Sequence, residues 1–150
     1  MKLAIKALSP LLGKEIPLPS YATAGSAAMD LRACMEEPVV IAPGARVVVP
    51  SGIAIALPSA EYVALLFARS GLAAKGGVCL ANGVGVIDSD YRGEVMVSLH
   101  NHSNEPQTVD PGERIAQMVI MPYLAAQFYE ADELSDTVRG AGGFGSTGSK

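Results

Sequence analysis

The chain predicts an all-β fold, a jelly-roll-like barrel or sandwich with one short helix and a glycine-rich C-terminal arm. Three observations lead there. Short runs of β-type residues recur at 3–8, 29–34, 38–41, 46–49, 53–56, 62–68, 78–80, 85–87, 94–100, 107–109 and 115–122. Turn formers separate them, among them Pro43-Gly44, Pro58-Ser59, Gly76-Gly77, Asp88-Ser89-Asp90 and Pro111-Gly112. Many short strands at that spacing argue a sandwich or barrel. Third, the segments 40–47 and 108–115 share a pattern with Pro-Gly at the centre of each. Pro sets φ and Gly accepts a positive one, as a type II turn requires. The likeness suggests pseudo-symmetric halves, though convergent turn chemistry accounts for it equally well.

The elements follow in order. The first run alternates Lys2 and Lys6 with Leu3 and Ile5, with no long apolar block and no small-residue cleavage site. It reads as a strand and not as a signal peptide. The run 62–68 is rich in Ala and Leu, which favour helices. Its shortness, and its end in Arg69-Ser70-Gly71, argue a buried strand. Leu72 to Lys75 then make a short helix, with Ser70 as the expected N-cap. From Arg139 to Lys150 the character changes to glycine with Ser146, Thr147 and Ser149, around a single aromatic, Phe144. This divides the chain into a β domain, 1–138, and an arm, 139–150. A frayed tail has this composition, and so does an arm that orders over a ligand.

With 150 residues, 49% of them hydrophobic and 17% charged, the chain can bury a core as one domain. No apolar run reaches the roughly 18–20 residues that span a bilayer. The two cysteines, Cys34 and Cys79, lack CxxC spacing and read as buried free thiols of a reducing, cytoplasmic compartment. A net charge of −4 without a basic run argues against nucleic-acid polymers. It leaves room for a small anion held by a few arginines and amides. His100 and His102 would share a strand face that zinc can use, and a polar strand end explains them as well.

The segment 82–94, Asn-Gly-Val-Gly-Val-Ile-Asp-Ser-Asp-Tyr-Arg-Gly-Glu, reads as two strands meeting at an acidic turn. Its glycines let backbone approach a ligand, its carboxylates can orient water, and Tyr91 can pack on a sugar or base. An ordinary Asp-rich hairpin has the same residues. Arg69-Ser70-Gly71 offers a guanidinium, a hydroxyl and free amides at a helix start, where phosphate is favoured. Gln117 lies on a strand just after Arg114. Arg139 with Ser146 and Thr147 is a third candidate for polyphosphate.

Taken in order, these segments are more specific. They are Ala-Met-Asp-Leu-Arg-Ala at 28–33, Arg-Ser-Gly-Leu-Ala at 69–73 and Gly-Val-Ile-Asp-Ser-Asp-Tyr-Arg-Gly-Glu at 85–94. Gly-Glu-Arg-Ile-Ala-Gln-Met at 112–118 and Arg-Gly-Ala-Gly-Gly-Phe-Gly-Ser-Thr-Gly at 139–148 complete the set. The series closely resembles the five ordered motifs of the homotrimeric dUTP diphosphatases.

The resemblance implies a jelly roll that trimerises, with active sites shared between subunits. It implies hydrolysis of dUTP to dUMP and pyrophosphate, which removes dUTP and supplies the precursor of dTMP. Asn82, Val86 and Met96 would border the uracil, Gly85 and Ile87 of the same segment would bind substrate, and Tyr91 would pack on the deoxyribose. Asp88 would orient and activate the attacking water. Arg69, Ser70, Gly71 and Gln117 would hold phosphates. Arg139 and Phe144 would arrive from another subunit, with Gly145, Ser146 and Thr147, the Phe on uracil and the Arg at the γ-phosphate. Mg²⁺ would be the cofactor, with Asp30 reaching it through water. Two rivals remain: a dCTP deaminase of the same fold, with Glu94 as its proton shuttle, and a non-catalytic nucleotide-sensing trimer.

Overall fold

A computed structural model describes residues 1–143 of the chain. Its strands are β1 (Ala4–Ala7), β2 (Met29–Arg32), β3 (Val39–Ile41), β4 (Arg46–Pro50), β5 (Ile53–Ala56) and β6 (Tyr62–Ala68). After the helix α1 (Ser70–Gly76) come β7 (Val78–Leu80), β8 (Gly85–Ile87), β9 (Met96–Asn101), β10 (Gln107–Val109) and β11 (Arg114–Pro122). Every strand pairing among the described residues is antiparallel. The sheets run β2-β11-β6-β8 and β4-β9-β7, with two-stranded pairs β1-β5 and β10-β3. The expected all-β jelly roll with one short helix is the fold observed.

The pleat explains which residues became core. In β2, Met29 and Leu31 turn inward while Asp30 and Arg32 stay half-buried on the other face. In β9, Val97, Leu99 and Asn101 are buried, while Ser98 and His100 face outward. Leu31, Ile41, Ile53, Leu99, Ile115 and Met118 are the largest fully buried apolar side chains. β6 is a strand despite its helix-forming residues. β11 pairs with it along its whole length, from Tyr62↔Pro122 to Ala68↔Ala116, and the sheet outweighs local propensity.

Both Pro-Gly turns carry the positive φ expected, 71° at Gly44 and 76° at Gly112. The strands that enter them, β3 and β10, pair with each other, Val40 opposite Thr108. The helix start differs from expectation by one residue. Arg69, extended at φ −84° and ψ 130°, occupies the N-cap, and Ser70 is the first helical residue. No side chain caps the helix: the Arg69 guanidinium carries only donors, which cannot accept from the free N–H groups of the first turn, and it pairs with Asp30.

Buried polarity is concentrated at Asn101, which is fully buried. Its side-chain amide donates to the carbonyls of Ile41 at 2.9 Å and Glu105 at 2.8 Å. Its carbonyl oxygen accepts from the Ser103 backbone N–H at 2.9 Å and the Ser103 hydroxyl at 2.7 Å. One side chain thus ties β9, the end of β3 and the following turn together. Both cysteines are free thiols; Cys34 is buried and Cys79 half-buried. No helix is long and apolar enough to cross a membrane among the described residues. Beyond β11 the chain from 123 to 143 is exposed and without strand or helix.

Candidate active site

The predicted residues gather in two groups. The first is built where β8 and the start of β9 meet; the two are not a paired hairpin, since β8 pairs with β6 and β9 with β4 and β7 in the other sheet. Asn82, Gly85, Val86, Ile87 and Met96 line one cavity of about 200 Å³, floored by Leu66 and Val97 of the core. Gly85 sits opposite Leu66, and a side chain there would meet it: an added Cβ would stand 2.9 Å from Leu66 Cβ. Glycine at this position lets β8 lie against β6 and shapes the cavity.

Asp88 is the first residue beyond β8. Its carboxylate is exposed, in a second cavity of about 290 Å³ shared with Val86, Ser89, Tyr62, Val63 and Tyr123. The two tyrosines were not foreseen: each lies outside the acidic segment, and only strand pairing places β6 and the end of β11 beside it. Tyr91 lines neither cavity. Its hydroxyl donates to the Glu94 carbonyl at 2.9 Å, and its ring lies over Gly93. The Glu94 carboxylate accepts the Gly52 backbone N–H at 2.7 Å, so that group is committed to holding the chain before β5.

The second group is cationic and centres on Asp30. One carboxylate oxygen accepts from Arg69 Nε at 2.8 Å and the other from Arg114 Nη1 at 3.2 Å. Gln117 stands opposite Asp30 in the ladder, and its side-chain amide donates to the Ala68 carbonyl at 2.9 Å. Arg69, Gly71, Leu72, Lys75, Glu113 and Arg114 line a cavity of about 360 Å³ at this place. Ser70 is exposed at the start of α1. Arg114, Lys75 and Glu113 were not assigned from the sequence. The signal available was the pair Asp30 and Arg32 on alternate residues, facing a strand that carries Arg114.

The β8–β9 cavity and the arginine cavity share no lining residue, and within one chain they are separate. Arg139 is exposed and its side chain has no partner in the described structure. Phe144, Gly145, Ser146 and Thr147 lie outside the described residues.

For a metal ion, the donor set is informative. Among the described residues no three His, Cys, Asp or Glu side chains form a cluster able to hold one. His100 and His102 bond to each other instead, Nδ1 to Nε2 at 3.0 Å, and His100 Nε2 lies 3.1 Å from the Gly44 carbonyl. Asp30 gives one lone pair on each oxygen to an arginine, and a carboxylate has about four. The residues present fit a hydrated Mg²⁺ brought by its ligand and touched through water, not an ion caged by protein.

Comparison with known proteins places this geometry. A sequence model of the dUTPase family matches residues 14–148. A deoxyuridine 5′-triphosphate nucleotidohydrolase of Hahella chejuensis is 55% identical over 148 residues, covering 99% of this chain and 97% of its own. One from Acinetobacter baumannii is 52% identical over 148 residues, covering 99% of each. Among solved structures, the dUTPase of Staphylococcus bacteriophage 80alpha with dUpNHpp superposes with a TM-score of 0.81 at 27% identity, over 98% of both chains. A dUTPase from Streptococcus mutans gives 0.72 at 32% identity, over 83% of this chain and 98% of that one. With a family match across most of its length and relatives above half identical, the chain belongs to the dUTPase family.

Proposed function

We propose that the chain hydrolyses dUTP to dUMP and pyrophosphate, with Asp88 positioning the attacking water. The observation that carries this reading is the small cavity between β8 and β9, lined by Asn82, Gly85, Val86, Ile87 and Met96, with Asp88 following Ile87 in the chain. Strand backbone lines it, and backbone amides and carbonyls can read the edge of one base. A base with a different donor and acceptor pattern would leave buried groups unpaired there.

In the reaction, the water oxygen bonds to the α-phosphorus as its proton passes to Asp88. The bond to the α–β bridging oxygen breaks, and pyrophosphate leaves with the electron pair. A carboxylate is a weak base at neutral pH, so positioning and charge stabilisation carry most of the acceleration. Arg69, Ser70, Gly71 and Gln117 hold the phosphates; Tyr91 packs on the deoxyribose. Asp30 would hold Mg²⁺ through water, and the ion would supply neutralisation of charge on the phosphate oxygens.

The active form is a homotrimer with shared sites, probed by two features. The two half-sites share no residue, which suits a site completed by a neighbour. Leu124, Phe128, Tyr129 and Leu134 stand 97%, 93%, 87% and 89% exposed, an apolar surface that calls for cover. The arm 139–150 supplies Arg139, Phe144, Gly145, Ser146 and Thr147 to the site. Free thiols suit a cytoplasmic enzyme. Glu94, the proton shuttle of a deaminase reading, is tied to Gly52 and favours the hydrolase.

The test is pyrophosphate release from dUTP, dCTP, dTTP and UTP with and without Mg²⁺. Release from dUTP alone, dependent on Mg²⁺, is expected. Ammonia from dCTP would support the deaminase, and inertness toward all four would support a sensing trimer. Removing 139–150 should lower kcat/KM while sedimentation still reports a trimer.

A further inference from the structure

We propose that Asn82 is a site of spontaneous deamidation, a covalent modification that turns an amide on the β8–β9 cavity into a carboxylate. The chemistry needs an asparagine side chain able to swing back onto the main chain. It also needs a following residue that leaves its own backbone nitrogen uncrowded. The chain has three asparagines, Asn82, Asn101 and Asn104, and only Asn82 is followed by glycine.

The local structure meets both needs. Asn82 and Gly83 are exposed, and no neighbouring atom comes within 4 Å of where a Cβ on Gly83 would stand. The Asn82 side-chain amide has no hydrogen-bond partner among the described residues. Asn101 is the opposite case, buried and held by four side-chain hydrogen bonds. Asn104 is exposed but precedes Glu105, whose side chain crowds the nitrogen. The nucleophile at Asn82 is the Gly83 backbone nitrogen, restrained by a 3.1 Å bond to the Leu80 carbonyl. Local opening of such an exposed turn costs little.

The glycine cannot readily be exchanged for a slower partner. The Val84 N–H donates to the Asn82 carbonyl at 2.8 Å, two residues back, with Gly83 between them at φ 72°. That is a γ-turn of the form that strains any residue with a side chain. The backbone therefore asks for glycine at 83, while Asn82 lines the cavity. The labile pair is built into the site.

In the reaction, the Gly83 nitrogen gives its proton to hydroxide and bonds to the Asn82 side-chain carbonyl carbon. The carbon–nitrogen bond of the side-chain amide breaks. Ammonia leaves with the electron pair and a proton from water, which restores the hydroxide. Water then opens the cyclic succinimide at either carbonyl. One opening yields aspartate; the other yields isoaspartate, whose main chain runs through the side-chain carbon. Both add a negative charge to a segment that already carries Asp88, Asp90 and Glu94. Isoaspartate also lengthens the main chain by one carbon, three residues before Gly85 packs on Leu66. Either product works against an anionic nucleotide in this cavity, a consequence that rests on the hydrolase reading.

The test is timed incubation of the intact protein at mildly acid and mildly alkaline pH. Peptide mass mapping locates the change, and enzymatic carboxyl methylation marks isoaspartate. Conversion at Asn82, faster at the alkaline pH, with Asn101 and Asn104 unaltered, is expected. An unaltered Asn82, or conversion of Asn104 as fast as Asn82, would overturn the assignment. Aged protein, separated by its added charge, should bind dUMP and dUpNHpp about 10-fold or more weaker than fresh protein, and Asn82→Asp should reproduce the charge effect. Undiminished binding by the aged form would overturn its action on the site. Failure of the hydrolase reading is distinct: fresh protein would then release no pyrophosphate from dUTP, while the mass change at Asn82 would still occur.

Discussion

The Tyr91 hydroxyl donates to the Glu94 carbonyl at 2.9 Å across a glycine that has no room for a side chain: a Cβ on Gly93 would fall on the Tyr91 ring and hydroxyl. Gly93 and the Glu94 carbonyl together fix where the ring can be. If the ring packs on deoxyribose, this pose sets the space beside the 2′ carbon. Gly93→Ala should therefore lower kcat/KM for dUTP by about 10-fold or more, the scale of a one-carbon misfit. The preference for dUTP over UTP should shrink with it. Tyr91→Phe keeps the ring, loses one hydrogen bond and should cost about 1 kcal/mol. Competing dUTP and UTP assays on both variants decide; an unaltered sugar preference in Gly93→Ala would remove Tyr91 from the sugar site.

Asp88 is exposed beside two tyrosines, and its side chain has no protein partner in the described structure. Replacing it should spare the fold and act on the reaction. Asp88→Asn should bind dUpNHpp within a few-fold of the wild type and lose turnover by about 10²–10⁴, the usual worth of a general base. Single-turnover kinetics with matched calorimetry would show both. Turnover near the wild-type rate would mean another group positions the water.

Asn101 is the most connected buried polar side chain. Asn101→Ala leaves the Ile41 and Glu105 carbonyls and the Ser103 N–H without that partner. The expected loss is about 2–3 kcal/mol, since orphaned buried groups carry their full desolvation cost. That corresponds to roughly 2–4 °C of Tm per kcal/mol at this chain length. Affinity for dUpNHpp at 20 °C should be unchanged, because Asn101 lines none of the three cavities. A melting curve matching the wild type would show that water replaces the amide without cost.

The strands were legible because alternation and turn chemistry are local: Met29 and Leu31 inward, Asp30 and Arg32 outward, Gly44 and Gly112 at positive φ. The motifs named much of the lining of the β8–β9 cavity for the same reason, since Asn82 to Met96 is one continuous segment. What sequence alone could not reveal is register. The bulge at Ile115 is invisible in Arg-Ile-Ala-Gln, yet it decides that Arg114 and Gln117 share a face. Tyr62 and Tyr123 reach Asp88 only through the pairing of β6 with β8 and β11. The helix also begins one residue earlier than expected, with Arg69 extended at the N-cap and its guanidinium on Asp30, a contact that only the tertiary fold makes.

Gly85 tests the base cavity itself. It faces Leu66, which is 2% exposed and cannot yield, and an added Cβ would also come within 3.1 Å of Leu66 Cγ and Cδ1. In Gly85→Ala the short strand β8 must therefore move away from β6, taking Val86 and Ile87 with it. A shift near 1 Å can cost on the order of 10²-fold in a positioned site. Because substrate and product share the base, Gly85→Ala should weaken dUMP and dUpNHpp by similar factors. Val84→Ala, at an exposed position just before β8, should leave both affinities unchanged. Equal dUMP binding by Gly85→Ala and the wild type would place the base outside the β8–β9 cavity.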